Sequence, residues 1–140
     1  MNLVTYAAPV SIKPRRYALG LYLGTLSHAN FKQTGRGLLQ VLRARHAPLF
    51  NLLGKTSGRD VDKLAAIKES GFSVQAHASG LHVLSDAACA MELQAMSDFI
   101  PCGDHEVVIC DVVGYENGVD CTPEDALYTA YLRQEGYMQK

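Results

Sequence analysis

Short apolar segments separated by turn residues fill the start of the chain. Residues 2–12 and 15–24 are rich in β-branched, aromatic and aliphatic side chains, and Lys13 and Pro14 stand between them. Segments of this kind, joined by a turn that contains proline, are typical of strands. We therefore predict two successive strands here.

Two helical segments and a strand between them are predicted next. Ser27 and Gly35 have the residue types of an N-cap and a C-terminal stop, so they predict a short helix between them. Residues 37–44 form an apolar run that predicts a third strand, and residues 48–55 predict one or two helical turns.

A better-specified helix follows. Ser57 and Asp60 have the spacing of a capping box, and Gly71 supplies the C-terminal stop. This spacing predicts that residues 54–64 lie at a helix N-terminus. The face that the helical period turns inward consists of Val61, Leu64, Ala65 and Lys68.

The second half of the chain has the pattern of an antiparallel sheet. Residues 72–76, 80–84, 88–100 and 105–116 alternate or run apolar in short segments that Gly, Pro and Asp interrupt. The period of two places four side chains on one face: Cys89, Met91, Leu93 and Ala95.

A C-terminal helix is predicted over about residues 122–135, with Thr122 as its cap and Pro123 at its first position. Its inward residues would be Leu127, Tyr131 and Leu132. Many short strands with few short helices predict a mainly β, α+β fold, a small barrel or sandwich rather than a doubly wound sheet. We expect one domain over residues 1–140, because no repeat or low-complexity linker divides the chain.

The composition argues against nucleic-acid and membrane partners. Thirteen basic and fourteen acidic residues give a formal net charge of -1, with no basic stripe. No apolar run approaches the roughly 18 residues of a membrane span, and the first residues lack a signal pattern, so we expect a cytoplasmic protein. The four cysteines form no C-x-x-C pair, so we expect reduced thiols packed as small apolar side chains.

Two segments carry candidate chemistry. Residues 56–60 place two hydroxyls, a glycine and Arg59 at the predicted helix N-terminus, and Lys63 lies one turn beyond Arg59. Amide N–H groups and the helix dipole attract phosphate at such a position, although a capped surface helix contains similar residues. His105 follows a predicted glycine-aspartate turn, where it serves either catalysis or the turn itself.

Taken together, four segments resemble the flavin reductase-like family of FMN-binding split β-barrels. They read VTYAAPVSIKP (residues 4–14), GTLSHANFKQTG (24–35), TSGRDVDKL (56–64) and CGDHEVVICDVV (102–113). The SGRDVDK and GDH pieces are the specific ones. The resemblance implies a Greek-key-like antiparallel split barrel over about residues 1–113, with FMN as the cofactor.

The resemblance also implies the residues of a site, with no metal. The first strand would lie along the isoalloxazine ring through Thr5, Tyr6, Ala7 and Ala8, followed by Ser11. Two hydroxyl residues would meet the phosphate, Thr25 and Ser27. The segment that encloses the cofactor would contribute Ser57, Gly58, Arg59 and Lys63. His105 would stand near the flavin and the incoming nicotinamide, as the candidate catalytic residue.

The function implied first is an NAD(P)H-dependent flavin reductase, in which NADH or NADPH passes hydride to FMN. A non-enzymatic FMN electron-transfer protein and a split-barrel binding module without activity are the alternatives. No G-x-G-x-x-G fingerprint helps to separate the first two. Members of this family usually carry an additional N-terminal strand, so the chain is either a short variant or starts further upstream.

The resemblance also implies a homodimer, and it makes a partner oxidoreductase or monooxygenase a candidate acceptor of electrons. The residues that we expect at the dimer interface are Tyr17, Leu19, Leu21, Leu23, Tyr128 and Tyr131.

Overall fold

The structure is a computed structural model, and it describes residues 1–139. The strands are β1 Tyr6–Ser11, β2 Arg16–Tyr22, β3 Arg36–Val41, β4 Val74–Ala76, β5 His82–Leu84, β6 Cys89–Ala95, β7 Ile100–Cys102 and β8 His105–Asn117. The helices are α1 Leu26–Thr34, α2 Phe50–Lys55, α3 Lys63–Glu69 and α4 Thr129–Gln134, with 3₁₀ turns at Ala44–Leu49 and Pro123–Asp125. Within residues 1–139, no helix is long and apolar enough to cross a membrane.

Strand β8 is the centre of the main sheet. Strand β2 pairs with one edge of β8, while β7 and β6 pair with successive parts of the other edge. The strand order is β1-β2-β8-β6-β3, and every pair is antiparallel. No described pair joins β1 to β3, so the sheet is open. Strands β4 and β5 form a second, two-stranded sheet. The predicted α+β class is confirmed.

The inner face of the main sheet carries the larger hydrophobic core. Leu19 of β2 and Val108 of β8 are cross-strand partners, and both are buried. Burial of each such side chain contributes about 1.5–3 kcal/mol. The predicted face of β6 is confirmed, because two of its residues are buried and two pack against the same core: Met91 and Leu93, then Cys89 and Ala95.

Helix α1 covers one end of this face. Its buried residue is Phe31, and a Cβ atom at position 37 would lie 2.7 Å from the Phe31 ring, so this contact requires Gly37. The helix ends where predicted, since Gly35 adopts a left-handed conformation with a φ of 66°. It begins earlier than predicted, because Thr25 rather than Ser27 is the N-cap.

A second hydrophobic core lies between helices α2 and α3 and the small β4–β5 sheet. Leu49, Ile67 and Leu84 are almost fully buried there. The loop that joins α2 to α3 therefore starts and ends next to packed residues. This arrangement holds the loop in place beside the start of α1.

Helix α3 starts later than predicted. Asp62, not Ser57, is the N-cap, and its carboxylate accepts hydrogen bonds from the amides of Leu64 and Ala65 at 3.0 and 3.1 Å. A carboxylate next to the first helical turn satisfies two free amides and interacts favourably with the helix dipole. The predicted capping box at Ser57 and Asp60 is wrong for this reason.

The inward face of α3 also differs from the predicted one. Lys63 and Ile67 are buried, whereas Val61 precedes the helix and is 37 % exposed. Ala65 and Lys68 are exposed and Leu64 is half-buried. The long apolar stem of a lysine packs well when its ammonium reaches an oxygen, and periodicity alone does not reveal this.

The C-terminal segment is less helical than predicted. Pro123–Asp125 forms a single 3₁₀ turn after Thr122, and α4 begins only at Thr129. Leu132 is buried as predicted and Leu127 is half-buried, but Tyr131 is 38 % exposed.

Candidate functional site

A groove of about 350 Å³ lies where the β2–α1 turn faces the loop between α2 and α3. Two segments that are far apart in the sequence meet there, and a volume of this order suits a small ligand. Five of the predicted cofactor residues line the groove: Thr25, Ser27, Ser57, Gly58 and Lys63.

One side of the groove is the first turn of α1. The Thr25 hydroxyl accepts a hydrogen bond from the His28 amide at 3.2 Å and donates one to the Tyr22 carbonyl at 3.0 Å. The amides of Leu26 and Ser27 precede the helical ladder and have no acceptor within residues 1–139. Both residues line the groove, so the helix start presents free donors and partial positive charge to it.

The opposite side contains a buried ammonium. Lys63 is 5 % exposed, and its Nζ donates a hydrogen bond to the Leu53 carbonyl at 3.1 Å. Burial lowers the pKa of Lys63 from its ordinary value of 10.5. Within residues 1–139 no carboxylate pairs with this ammonium. A buried cation without a counter-charge carries a desolvation cost, which a bound anion reduces.

The loop before α3 forms the rim of the groove. Ser57 Oγ accepts a hydrogen bond from the Arg59 amide at 3.1 Å, and Arg59 Nη1 donates to the Gly24 carbonyl at 2.6 Å. Gly58 packs on Leu26, since a Cβ there would lie 3.3 Å from Leu26 Cδ2. Arg59 therefore holds the loop against the β2–α1 turn, and neither it nor Ser57 lies at a helix N-terminus as predicted.

A second, adjoining groove of about 450 Å³ runs along the outside of this loop. Lys63, Leu26 and Gly58 border both grooves, and Arg59 borders the outer one. Two carboxylates, those of Asp60 and Asp62, make the outer groove more acidic than the first one. Ser27 and Lys55 line only the first groove, which within residues 1–139 has no carboxylate in its lining.

Strand β1 contributes only alternate residues to the outer face of the sheet. Tyr6 and Ala8 are exposed there, whereas Ala7 packs against the larger core. Thr5 is exposed just ahead of the strand, and Ser11 lies at the far end, roughly 17 Å from Tyr6 for an extended chain. None of these five predicted residues lines the groove itself.

His105 lies beside the groove between two tyrosines. Its ring centroid is 5.0 Å from that of Tyr6 and 5.3 Å from that of Tyr22, both edge to face, and Tyr22 lines the groove. His105 Nδ1 is 2.7 Å from Asp104 Oδ1, and this hydrogen bond lowers the pKa of Asp104. The carboxylate accepts a hydrogen bond from Nδ1–H, so Nε2 is left for another partner. The ring of His105 thus connects β1 with the groove.

The groove also contains residues that the sequence did not single out. Asn30 lies one turn after Ser27 on α1, Lys55 and Thr56 lie at the end of α2, and Tyr22 ends β2. The spacing of three residues between Ser27 and Asn30 is a signal that identifies Asn30 once Ser27 is placed. Tyr22 is found only from the strand register, because it pairs with His105.

The four cysteines are free thiols in different environments. Cys110 is buried in the larger core, and burial raises the pKa of its thiol to about 11. Cys102 is exposed, so the expectation that all four pack as small apolar side chains is wrong for this one. Within residues 1–139, no group of three or more His, Cys, Asp or Glu side chains is arranged to hold a metal ion.

Known structures of similar fold include an FMN-binding protein from Thermus thermophilus with bound 1-cyclohex-2-enone (21 % identity, TM-score 0.69, covering 81 % of this chain and 60 % of that chain). Flavoredoxin of Desulfovibrio vulgaris (Miyazaki F) is 17 % identical, with a TM-score of 0.72 over 90 % of this chain and 66 % of that one. The NADH:FAD oxidoreductase of Streptomyces globisporus C-1027 is 15 % identical, with a TM-score of 0.68 over 81 % and 65 %.

These similarities show the fold, which is the split barrel of the flavin reductases. The chain spans less than two thirds of the length of the Thermus protein. No curated protein matches the chain in sequence. The family model of the flavin reductase like domain matches residues 3–136, which is nearly the whole chain. The protein therefore belongs to the flavin reductase like domain family.

Proposed function

We propose that the protein binds FMN in the groove and passes hydride from NADH or NADPH to the flavin. The observation that carries this proposal is the buried Lys63 ammonium, which has no carboxylate partner within residues 1–139 and lines the same groove as the free amides at the start of α1. Family membership supports a flavin as the ligand. The similar structures include both an FMN-binding protein and an NADH:FAD oxidoreductase.

The donors of the groove suit a terminal phosphate. A phosphate monoester carries close to two negative charges and three acceptor oxygens. Lys63, the Ser27 hydroxyl and the two free amides of α1 would supply its partners, with Asn30 beside them. Each charge-assisted hydrogen bond contributes about 1.5–3 kcal/mol. We therefore propose FMN rather than riboflavin as the preferred flavin.

Tyr22, His105 and Tyr6 offer an aromatic surface beside the groove for the flavin ring. A bound flavin supplies the hydride-accepting chemistry, and the protein supplies binding and orientation. Hydride transfer between stacked rings needs orientation more than proton transfer. His105 would therefore act by orientation, with its ring held by Asp104.

A flavin titration tests the phosphate site. We expect the purified protein to show a flavin spectrum and to bind FMN more tightly than riboflavin. The double variant Ser27→Ala, Lys63→Met should lower the affinity for FMN by about a hundredfold and change the affinity for riboflavin little. Lys68→Met, on the exposed face of the same helix, is the matched control and should change neither. Equal losses for both flavins would contradict the assignment.

Anaerobic reduction tests the reaction. NADH or NADPH should bleach the flavin absorbance of a reductase, and the faster of the two identifies the reductant. A protein that holds FMN but is not bleached would instead be an electron carrier. A protein that is purified without flavin and does not take up FMN would be a binding module of another kind. We propose that a partner oxidoreductase or monooxygenase accepts the electrons.

A homodimer is proposed through the outer face of the main sheet. This face carries large apolar side chains at high exposure: Tyr6 at 63 %, Val10 at 53 %, Tyr22 at 53 % and Ile100 at 53 %. Exposed apolar area of this kind is typical of protein interfaces. Pairing through the free edge of β1 is less favourable, because Pro9 lacks an N–H and the register shifts next to it.

The residues predicted for the dimer interface need correction. Leu19 and Leu21 are buried in the core of the protein's own sheet, and Tyr17 packs against that core. Leu23, Tyr128 and Tyr131 are exposed. Light scattering tests the dimer, and Val10→Asp should shift the mass towards the monomer because it places a charge on the proposed interface. A wild-type protein of monomer mass would contradict it.

A further inference from the structure

A single carboxylate joins helix α1 to strand β8. Glu106 Oε2 lies 2.8 Å from His28 Nε2, and its two oxygens lie 2.9 and 2.8 Å from Lys32 Nζ. The Glu106 side chain is only 13 % exposed. The hydrogen bonds from Lys32 and from His28 lower the pKa of Glu106, so this carboxylate is ionised at neutral pH.

The two donors fix the rotation of α1 about its axis. His28 and Lys32 are four residues apart and therefore share one face of the helix. Ser27 and Asn30 lie on the neighbouring face, which lines the groove. Phe31 is the one fully buried residue of α1, Leu26 packs against Gly58, and Phe99 packs against His28 and Phe31. Apolar contacts have little directional preference, so the Glu106 carboxylate adds the directional, charge-assisted contacts between α1 and β8.

We propose that Glu106 is a positioning residue for phosphate binding. It sets the rotation of α1 and thereby the direction of the free amides and of the Ser27 hydroxyl towards the groove. Side chains alternate along a strand, so at the start of β8 His105 projects to the outer face and Glu106 to the inner one. His105 therefore lies with the aromatic surface, and Glu106 lies with helix α1. This inference rests on the proposed phosphate site.

Charge-removing variants test the inference by the ratio of FMN affinity to riboflavin affinity. Glu106→Gln keeps the size of the side chain but leaves Lys32 without its counter-charge. We expect FMN affinity to fall about tenfold and riboflavin affinity to change less than about twofold. Lys32→Met should lower the ratio in the same direction, and Lys32→Arg should preserve it. Loss of stability alone would not change this ratio.

Glu92→Gln is the matched control, because Glu92 forms an ion pair of similar length, 2.8 Å, with Arg36 away from the groove. If the wild-type protein binds FMN and riboflavin equally well, the proposed phosphate site is wrong. The other outcome is a wild-type protein that binds FMN more tightly than riboflavin, with the variants Glu106→Gln and Lys32→Met folded and showing the same affinity ratio. In that case only the positioning role of Glu106 is wrong. Lys32 is half exposed, so Lys32→Met provides the measurement should Glu106→Gln not fold.

Discussion

Helices α1 and α3 both begin at one groove, but within residues 1–139 α1 leaves two amides free there, whereas two of the first amides of α3 are capped. The Thr25 hydroxyl caps α1 through one amide, and the amides of Leu26 and Ser27 remain. At α3, the Asp62 carboxylate accepts hydrogen bonds from two amides. An acidic cap places the protein's own negative charge where a phosphate would bind. Cationic residues near a helix start are therefore not sufficient for a phosphate site.

Helix α3 contributes to the groove through a side chain instead. Lys63 is its first residue, and its ammonium reaches the carbonyl of Leu53 on the neighbouring helix. The two helices thus supply complementary groups, backbone amides from one and an ammonium from the other. The predictions below separate these contributions.

The largest expected effect is the stabilisation that FMN gives to the folded protein. At an FMN concentration of about 100 times Kd, binding adds about 2.7 kcal/mol to the free energy of unfolding. For Lys63→Met at the same concentration we expect only about 0.3–1.3 kcal/mol, because one charge-assisted contact is lost. Thermal unfolding with and without FMN measures this, with Lys68→Met as the control. If FMN stabilises Lys63→Met as much as the wild-type protein, Lys63 of α3 does not contact the phosphate.

A second prediction separates the groove from the aromatic surface beside it. His105→Ala should retain FMN but slow its reduction by NADH or NADPH about tenfold to a hundredfold, or about 1.4–2.7 kcal/mol of barrier. Stopped-flow reduction of the FMN-loaded variant measures this. If the variant loses stability while its folded fraction is reduced at the wild-type rate, His105 serves only the turn with Asp104.

Local signals in the sequence predicted the helix ends and the face of β6. Gly35 and Gly71 both adopt positive φ angles after a helix, as their residue type indicated. The start of α3 was mispredicted because Ser57 and Asp62 are both acceptable caps, and only the packed structure selects between them. The groove depends on tertiary contacts, so Asn30 and Tyr22 were not identified.

The contact between Glu106 and helix α1 also could not be predicted from the sequence, because it joins residues that are far apart in the chain. Glu106 is 78 residues from His28 and 74 from Lys32, so no local spacing reveals the group. Lys63 was predicted as a site residue, but its burial and its carbonyl partner appear only in the fold. The sequence indicates which residue types lie near a site, whereas packing determines the orientation of their side chains.

The caps themselves provide a third, smaller test. Asp62→Ala and Thr25→Ala should each reduce the free energy of unfolding by about 1 kcal/mol, because each removes a cap. Only Thr25→Ala should also weaken FMN binding, by a few-fold, since two free amides of α1 line the groove and two of the first amides of α3 are capped. Denaturant unfolding and FMN titration of both variants measure this. Equal losses of FMN affinity would show that the two helix starts do not differ in function.

The smallest expected effect is a pH dependence that depends on Lys63. Burial lowers its pKa from 10.5, so between the folded pKa and 10.5 the unfolded chain binds more protons than the folded one. The stability of the FMN-free protein should therefore rise with pH in that window.

FMN affinity should respond in the opposite direction, because a phosphate favours the charged ammonium. Riboflavin shares the flavin ring but lacks the phosphate, so the ratio of the two affinities reports the cations of the groove. These include the Met1 ammonium, whose pKa burial also lowers, so the comparison with Lys63→Met identifies the Lys63 contribution. We expect this ratio to fall a few-fold in the wild-type protein as the pH rises from 7 towards 10.5, because the Lys63 ammonium is progressively lost. The fall should be smaller in Lys63→Met. Fluorescence titrations with both flavins measure it, and an equal fall in Lys63→Met would assign the pH dependence to another group.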